Sequence, residues 1–322
     1  MNILSSIFGV GVRVRNALYD RGTVRARRLR GPVVSVGNLS VGGSGKTPFV
    51  LLLGELLTAR GVKFDILSRG YGRSTRGVAL VQPGGSPQDF GDEPLLLARR
   101  LRAPVIVGED RYEAGLFAER TLSPLLHLLD DGFQHRALAR DFDIVLVTPE
   151  DTRDHLLPAG RLREPLTSLS RADAVVLAGG ASPESLPLKS KLVWRVRRGI
   201  SLGDVPSRPV AFCGIARPQN FLLQLRTAGI EPVAQALFRD HHAYTERDVH
   251  DLLKLRQQSE AEGFVTTEKD AINLGAYLSV LDPLAVVPVK MELVDATNAV
   301  DTILRIVSER RASREKIGDV AQ

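Results

Sequence analysis

Residues 33–48 constrain this chain most: Val-Val-Ser-Val-Gly-Asn-Leu-Ser-Val-Gly-Gly-Ser-Gly-Lys-Thr-Pro. A short apolar run, a glycine-rich turn and a helix start follow one another directly. Glycine lets the backbone curl until successive N–H groups converge on one point, where the first turn of a helix adds the positive end of its dipole. Such a turn suits phosphate. Gly42, Gly43, Ser44 and Gly45 are expected to cradle the phosphates of a nucleotide, Lys46 to reach the terminal ones, and the Thr47 hydroxyl to ligate Mg²⁺. The first glycine of the usual phosphate-loop pattern is replaced by Ser40. A glycine-rich turn that merely caps a helix is the plain alternative, but Pro48 suits a first helical turn and the strand context is right.

The surrounding pattern sets the fold class. Apolar runs at 33–36, 64–67, 104–107, 125–129, 142–147 and 174–177 alternate with helix-length segments at 48–59, 93–101 and 111–119. This predicts an α/β protein with a P-loop NTPase-like core, its mainly parallel sheet covered on both faces and its site at the carboxyl ends of the strands. A second, smaller α/β unit is expected from about residue 206, with strands at 210–214, 263–266 and 284–289 and helices at 220–227, 246–260 and 298–308. The division is therefore 1–30 as an N-terminal amphipathic segment, 31–205 as the P-loop domain, and 206–322 as a smaller C-terminal α/β domain closing over the cleft. The charged stretch from about Glu309 is expected to fray.

A length of 322 residues fits two domains, and 43% hydrophobic with 25% charged residues is ordinary for a globular chain. The net charge of +6 fits an anionic partner of several kinds. Arg13, Arg15, Arg21, Arg25, Arg27, Arg28 and Arg30 follow the apolar Ile3, Leu4, Ile7, Phe8, Val10 and Val12, as in a helix lying at a lipid headgroup layer. An ordinary surface helix with solvated arginines is the alternative. The apolar part is short of the ~20 residues needed to span a bilayer, and no small-residue cleavage site follows it, so it reads as retained and the chain as cytoplasmic. Aromatics are 5% of the chain and scarcely interleave with the arginines, so no nucleic acid is expected. One cysteine, Cys213, excludes an internal disulfide.

Beyond the turn, 125–135 form an apolar run ending in Asp130, Asp131 and Gly132, placed to hold the metal of a bound nucleotide, although paired acids before glycine also make plain turns. Three loops gather further polar groups: 69–73 (Arg-Gly-Tyr-Gly-Arg), 91–94 (Gly-Asp-Glu-Pro) and 157–165, which contains Arg163 and Glu164. Asp92 is either a helix cap or a reactive carboxylate. Asp240, His241 and His242 are dense in groups that titrate near neutrality, but adjacent histidines diverge and do not chelate one metal. The run Thr266-Thr267-Glu268-Lys269-Asp270 has no role assignable from local chemistry.

The ordered set of these segments, from residues 15–20 through the phosphate turn, Arg-Gly-Tyr-Gly-Arg, Gly-Asp-Glu-Pro, Asp-Asp-Gly-Phe-Gln-His and Leu-Arg-Glu-Pro to Asp240-His241 and Thr-Thr-Glu-Lys-Asp, resembles the tetraacyldisaccharide 4'-kinase (lipid A 4'-kinase) family of Gram-negative bacteria. The likeness covers nearly the whole chain, and that family's turn also lacks the first glycine. It implies transfer of the γ-phosphoryl of ATP to the 4'-hydroxyl of a tetraacylated glucosamine disaccharide 1-phosphate, the lipid A precursor, at the cytoplasmic face of the inner membrane. It further implies Asp92 as general base with His241 as its partner, and Asp130, Asp131 and Glu93 with Thr47 as the Mg²⁺ set. Lys46 and Arg163 would be catalytic, and Tyr71 and Glu164 would contact substrate. A partition-type switch ATPase would carry lysine where Val41 stands, and a kinase of a soluble metabolite would have little use for the arginine-rich apolar start.

Overall fold

The computed structural model describes residues 3–188, 191–294 and 296–320. The first and last two residues of the expected terminal segments lie outside these. Among the described residues, thirteen strands form two sheets and nine α-helices pack around them. The strands are β1 (Val33–Asn38), β2 (Phe64–Ser68), β3 (Ala79–Leu80), β4 (Val105–Val107), β5 (Leu126–Asp130), β6 (Phe142–Val147), β7 (Ala174–Leu177), β8 (Leu192–Ile200), β9 (Pro209–Cys213), β10 (Ala234–Leu237), β11 (Gly263–Thr267), β12 (Leu284–Val287) and β13 (Val289–Leu293). The helices are α1 (Ile3–Asp20), α2 (Lys46–Ala59), α3 (Pro87–Phe90), α4 (Asp92–Arg100), α5 (Arg111–Thr121), α6 (Pro218–Thr227), α7 (Glu246–Gln258), α8 (Glu268–Leu274) and α9 (Ala296–Val320).

The large sheet runs β13-β8-β7-β6-β1-β5-β2-β4-β3 and is parallel except at its edges, β3 and β13. Strands β1, β2, β5, β6 and β7 are buried along their full lengths, as near-continuous apolar runs require when helices cover both faces. β1 lies centrally between β5 and β6, and the strand order reverses there, so the turn after it opens at the crevice where α/β sheets bind ligands. The small sheet, β10-β9-β11-β12, is parallel throughout.

The chain departs from the large sheet near residue 206 but does not stay away. Only Pro288 separates β12 from β13, and β13 pairs antiparallel with β8 in the large sheet. α9 then packs on α2 and β6, with Val300, Ile303 and Val307 in the large core. The stretch expected to fray from Glu309 is helical to Val320. Arg310 clamps Asp173 at 2.6 and 3.0 Å, and Arg314 pairs with buried Asp141. β8, β10, β13 and α8 were not legible as elements in the sequence. β13 is the edge strand and β8 the strand beside it; both are half-exposed and carry charge, without the continuous apolar run that marks a central strand.

α1 presents Ile3, Ile7, Val10, Val14 and Leu18 to solvent while Ser5, Gly9 and Val12 face the body. No described helix is long and apolar enough to cross a membrane.

Candidate active site

Between β1 and α2 the backbone turns through Gly42, Gly43 and Gly45, all at positive φ, where a side chain is strained. The earlier part of the turn is extended: Val41 N–H donates to the Arg161 carbonyl at 2.8 Å, Arg163 N–H donates to that of Leu39 at 2.7 Å, and Ser40 forms a bridge with Leu162. Ser40 therefore needs no glycine's freedom, which is the physical reason the first glycine is dispensable. Lys46 opens α2 with Gly45 as its cap.

Asn38, fully buried at the end of β1, ties the turn together. Its Oδ1 accepts from Lys46 Nζ at 2.9 Å and from Arg163 Nη2 at 2.5 Å, and its Nδ2 donates to the Ser40 carbonyl at 2.7 Å. Arg163 also forks onto both oxygens of Asp131 at 2.8 and 3.0 Å, and Lys46 lies 3.5 Å from the same carboxylate. Although burial opposes ionisation, Lys46 and Arg163 hold Asp131 far below the usual carboxylate range. Its neighbour Asp130 is pushed up to about 7 by burial and by the nearby Glu93 and Asp131 carboxylates. Asp130 accepts from Ser68 Oγ at 3.1 Å through one oxygen, while the other is buried without a partner, as is Ser44 Oγ.

A magnesium ion fits this donor set. Hard carboxylate oxygens of Asp130 and Asp131, with the buried Thr47 and Ser44 hydroxyls nearby on the turn, are oxygen ligands of the kind Mg²⁺ takes, and the orphaned Asp130 oxygen is what a cation would satisfy. No preformed cluster of three acidic or imidazole ligands occurs among the described residues. Glu93 is engaged otherwise, in an ion pair with Lys269 that keeps its carboxyl below the ordinary range despite burial.

Across the cleft, α4 begins with Asp92 at its first position, after Gly91 at φ 89. A Cβ on Gly91 would meet the Tyr71 carbonyl at 2.8 Å, so the 69–73 loop and the start of α4 are one packed unit. Asp92 Oδ2 is 2.8 Å from His241 Nδ1 and accepts from Asn273 Nδ2 at 3.2 Å, and its Oδ1 accepts from Glu93 N–H at 2.8 Å. Burial pushes Asp92 up, but the His241 hydrogen bond and the Lys269 charge outweigh it and set the carboxyl at about 2. The same hydrogen bond raises His241 against the opposing effect of its burial. Tyr71, largely exposed, tilts over the His241 ring with centroids 5.3 Å apart.

His241 comes from the small sheet, in a loop held by Asp270. That buried carboxylate accepts from Gly214 N–H at 2.7 Å, Tyr244 Oη at 2.8 Å and Thr267 Oγ1 at 2.5 Å, while His241 N–H donates to the Gly214 carbonyl at 3.1 Å. His242 points elsewhere, 3.0 Å from Asp248 and stacked on Phe238, which settles which histidine meets Asp92. The polar run at 266–270 thus has its role: Thr267 caps α8, Asp270 anchors the histidine loop, and Lys269 bridges to α4. Asn38, Lys269 and Asn273 belong to the site although sequence reasoning gave them no part.

Two connected cavities meet at Lys46, Glu93, Asp240 and His241. One follows the phosphate turn; the other, about 740 Å³, is lined by Tyr71, Asp130, Asp131, Arg163, Arg111 and His135 among others. Glu164 lines neither. It is fully buried beneath α1, accepting from Asn16 at 2.8 Å and Arg171 at 2.9 Å and pairing with Arg15 at 3.4 Å, so the expected substrate contact is instead the anchor of the N-terminal helix.

This geometry has close counterparts. A family model described as Tetraacyldisaccharide-1-P 4'-kinase matches residues 1–308. The tetraacyldisaccharide 4'-kinase of Koribacter versatilis (strain Ellin345) is 53% identical over 97% of this chain and 100% of its own length. That of Geobacter metallireducens is 38% identical over 94% and 97%. The crystal structure of the "apo" form of LpxK from Aquifex aeolicus in complex with ATP superimposes with a TM-score of 0.78 at 36% identity, covering 94% of this chain and 97% of that one. With its phosphate turn, paired aspartates and the histidine of the Asp92–His241 couple all lining one cleft, the chain belongs to the tetraacyldisaccharide-1-P 4'-kinase family.

Proposed function

We propose that this protein binds ATP with Mg²⁺ and transfers the γ-phosphoryl group to the 4'-hydroxyl of a tetraacylated glucosamine disaccharide 1-phosphate at the cytoplasmic face of the inner membrane. The observation that carries the reading is the Asp92–His241 couple, 2.8 Å apart, whose His241 lines the same cleft as Lys46 on the phosphate turn. Phosphoryl transfer asks mainly for positioning and for neutralisation of the transferring charge. Gly42 to Thr47 cradle the nucleotide phosphates, and Lys46 reaches the β- and γ-phosphates. Arg163, oriented by Asp131 and Asn38, sits where negative charge accumulates. Asp130, Asp131 and Thr47 would hold magnesium, which would supply charge neutralisation there.

The acceptor hydroxyl becomes a nucleophile as its proton leaves. Asp92 receives that proton with His241 as its partner, the couple acting as one unit because each sets the other's affinity for protons. Tyr71 shapes the acceptor side of His241. The exposed apolar stripe of α1 lies in the headgroup layer and brings the larger cavity to an acylated acceptor.

The reading is tested by incubating the protein in detergent micelles with Mg²⁺, γ-labelled ATP and the disaccharide acceptor, beside Lys46→Ala. Label should enter the lipid with the wild type and fall by about a thousandfold or more in the variant. ATP hydrolysis with unlabelled lipid would refute the substrate.

A further inference from the structure

The wall of the nucleotide cavity outside the phosphate turn carries two arginines that the reaction described above does not use. Arg198 projects from β8 beside the cavity, and no carboxylate or hydrogen-bond acceptor pairs with it among the described residues. Its Nε is buried without a partner. The charged group that acts on it is another cation, Arg217, and burial together with that like charge lowers its hold on its proton. Arg217 enters from the small sheet, at the cap of α6. Its stem lies against the turn so closely that a Cβ on Gly43 would sit 2.6 Å from Arg217 Cγ, and its tip reaches Glu150 at 2.8 Å and Thr148 at 3.3 Å. The three acids that line this cavity face other cations: Glu93 pairs with Lys269, Glu268 with Arg100, and Asp240 lies 3.8 Å from His241 Nε2.

A half-buried guanidinium with a second one for its neighbour is unfavourable until an anion arrives. Planar guanidinium groups match phosphate oxygens in pairs. We propose that Arg198, with Arg217 beside it, holds the phosphate chain of the bound nucleotide from outside the P-loop. Arg198 sits opposite Met291 in the β8–β13 pair, and the chain leaves that pair for the small sheet after Ile200 and returns from it at Val289, both at the same end of the pair. Phosphate bound there therefore ties the turn, the edge of the large sheet and the small sheet into one unit.

The proposal rests on the ATP-binding reading above, and nucleotide titration separates the two. Calorimetry on the full chain without acceptor would compare ATP, inorganic tripolyphosphate and adenosine for wild type, Arg198→Gln and Arg198→Lys. Arg198→Gln should weaken ATP and tripolyphosphate by about tenfold and leave adenosine unchanged, with Arg198→Lys recovering part of the loss. In the absence of nucleotide the Gln variant should melt no lower than wild type, since it removes an uncompensated cation. ATP binding within about twofold of wild type, or an equal loss for adenosine, overturns the proposal while leaving the kinase reading intact. A wild-type chain that binds no ATP overturns both.

Discussion

If Asp92 and His241 take the acceptor proton together, turnover must follow the protonation of the couple. Asp92 lies at about 2 and is ionised throughout the working range, whereas His241 is raised above its ordinary value by the 2.8 Å bond to that carboxylate. Below the raised His241 value the couple holds one proton already and is a poor acceptor. Above it, the proton from the sugar hydroxyl can be received, whichever atom it reaches first. The rate constant kcat should therefore rise tenfold per pH unit on the acid side and level off only once pH passes the raised His241 value, above the ordinary imidazole value of about 6.5. His241→Gln keeps a hydrogen-bond donor for Asp92 but cannot titrate. It should lose about 10²- to 10⁴-fold in kcat, the usual worth of a general base, together with the pH slope. Asp92→Asn should lose a similar factor and, since it withdraws the charge that raises His241, shift any residual slope toward lower pH. The assay is initial-rate phosphorylation at saturating ATP and acceptor over about pH 5.5 to 8.5, with a buffer series of constant ionic strength. A flat wild-type profile across that range would refute the paired acceptor, as would His241→Gln retaining the slope.

Three other perturbations bear on the frame around the site. Gly37→Ala places a methyl 2.5 Å from Phe133 Cβ and 2.8 Å from its backbone nitrogen; overpacking of this kind costs about 1 to 3 kcal/mol and should lower the melting temperature while disturbing the adjacent Asp131 turn. His127 is buried at 3.0 Å from Asp65 and 3.4 Å from Glu119; burial opposes its charge, but the carboxylates raise its pKa overall. A raised histidine contributes stability that is complete below the unfolded value near 6.5 and is lost as pH climbs through the folded value. Urea unfolding should show that decline in the wild type, and His127→Gln should remove it while costing on the order of 3 kcal/mol at pH 6. Finally, Ile7→Asp with Val10→Asp removes two exposed apolar side chains from α1. Vesicle affinity, read by sedimentation with anionic vesicles, should fall about 10²- to 10⁴-fold, at about 1.5 to 3 kcal/mol per side chain, with activity on micelle-dispersed acceptor kept within about twofold.

Much of this architecture is written locally. The 33–48 segment specifies strand, turn and helix within sixteen residues because φ > 0 glycines, a helix dipole and an apolar strand are properties of neighbours in sequence. The continuous apolar runs of the central strands likewise announce a sheet buried on both faces. Partner choice across the molecule is not written this way. Asp92 and His241 lie 149 positions apart and meet because α4 packs on α8 and because Asp270 holds the histidine loop. From sequence alone Asp92 was as good a cap as a base. Glu164 sits beside Arg163 in the chain, yet Arg163 faces the cleft and Glu164 is sealed under α1, because the chain bends at both residues. The return of β13 and α9 to the large sheet was equally invisible: charged edge strands and a polar amphipathic helix acquire their partners from long-range packing. Local chemistry determined where phosphate binds, and only the tertiary structure decided which distant side chains surround it.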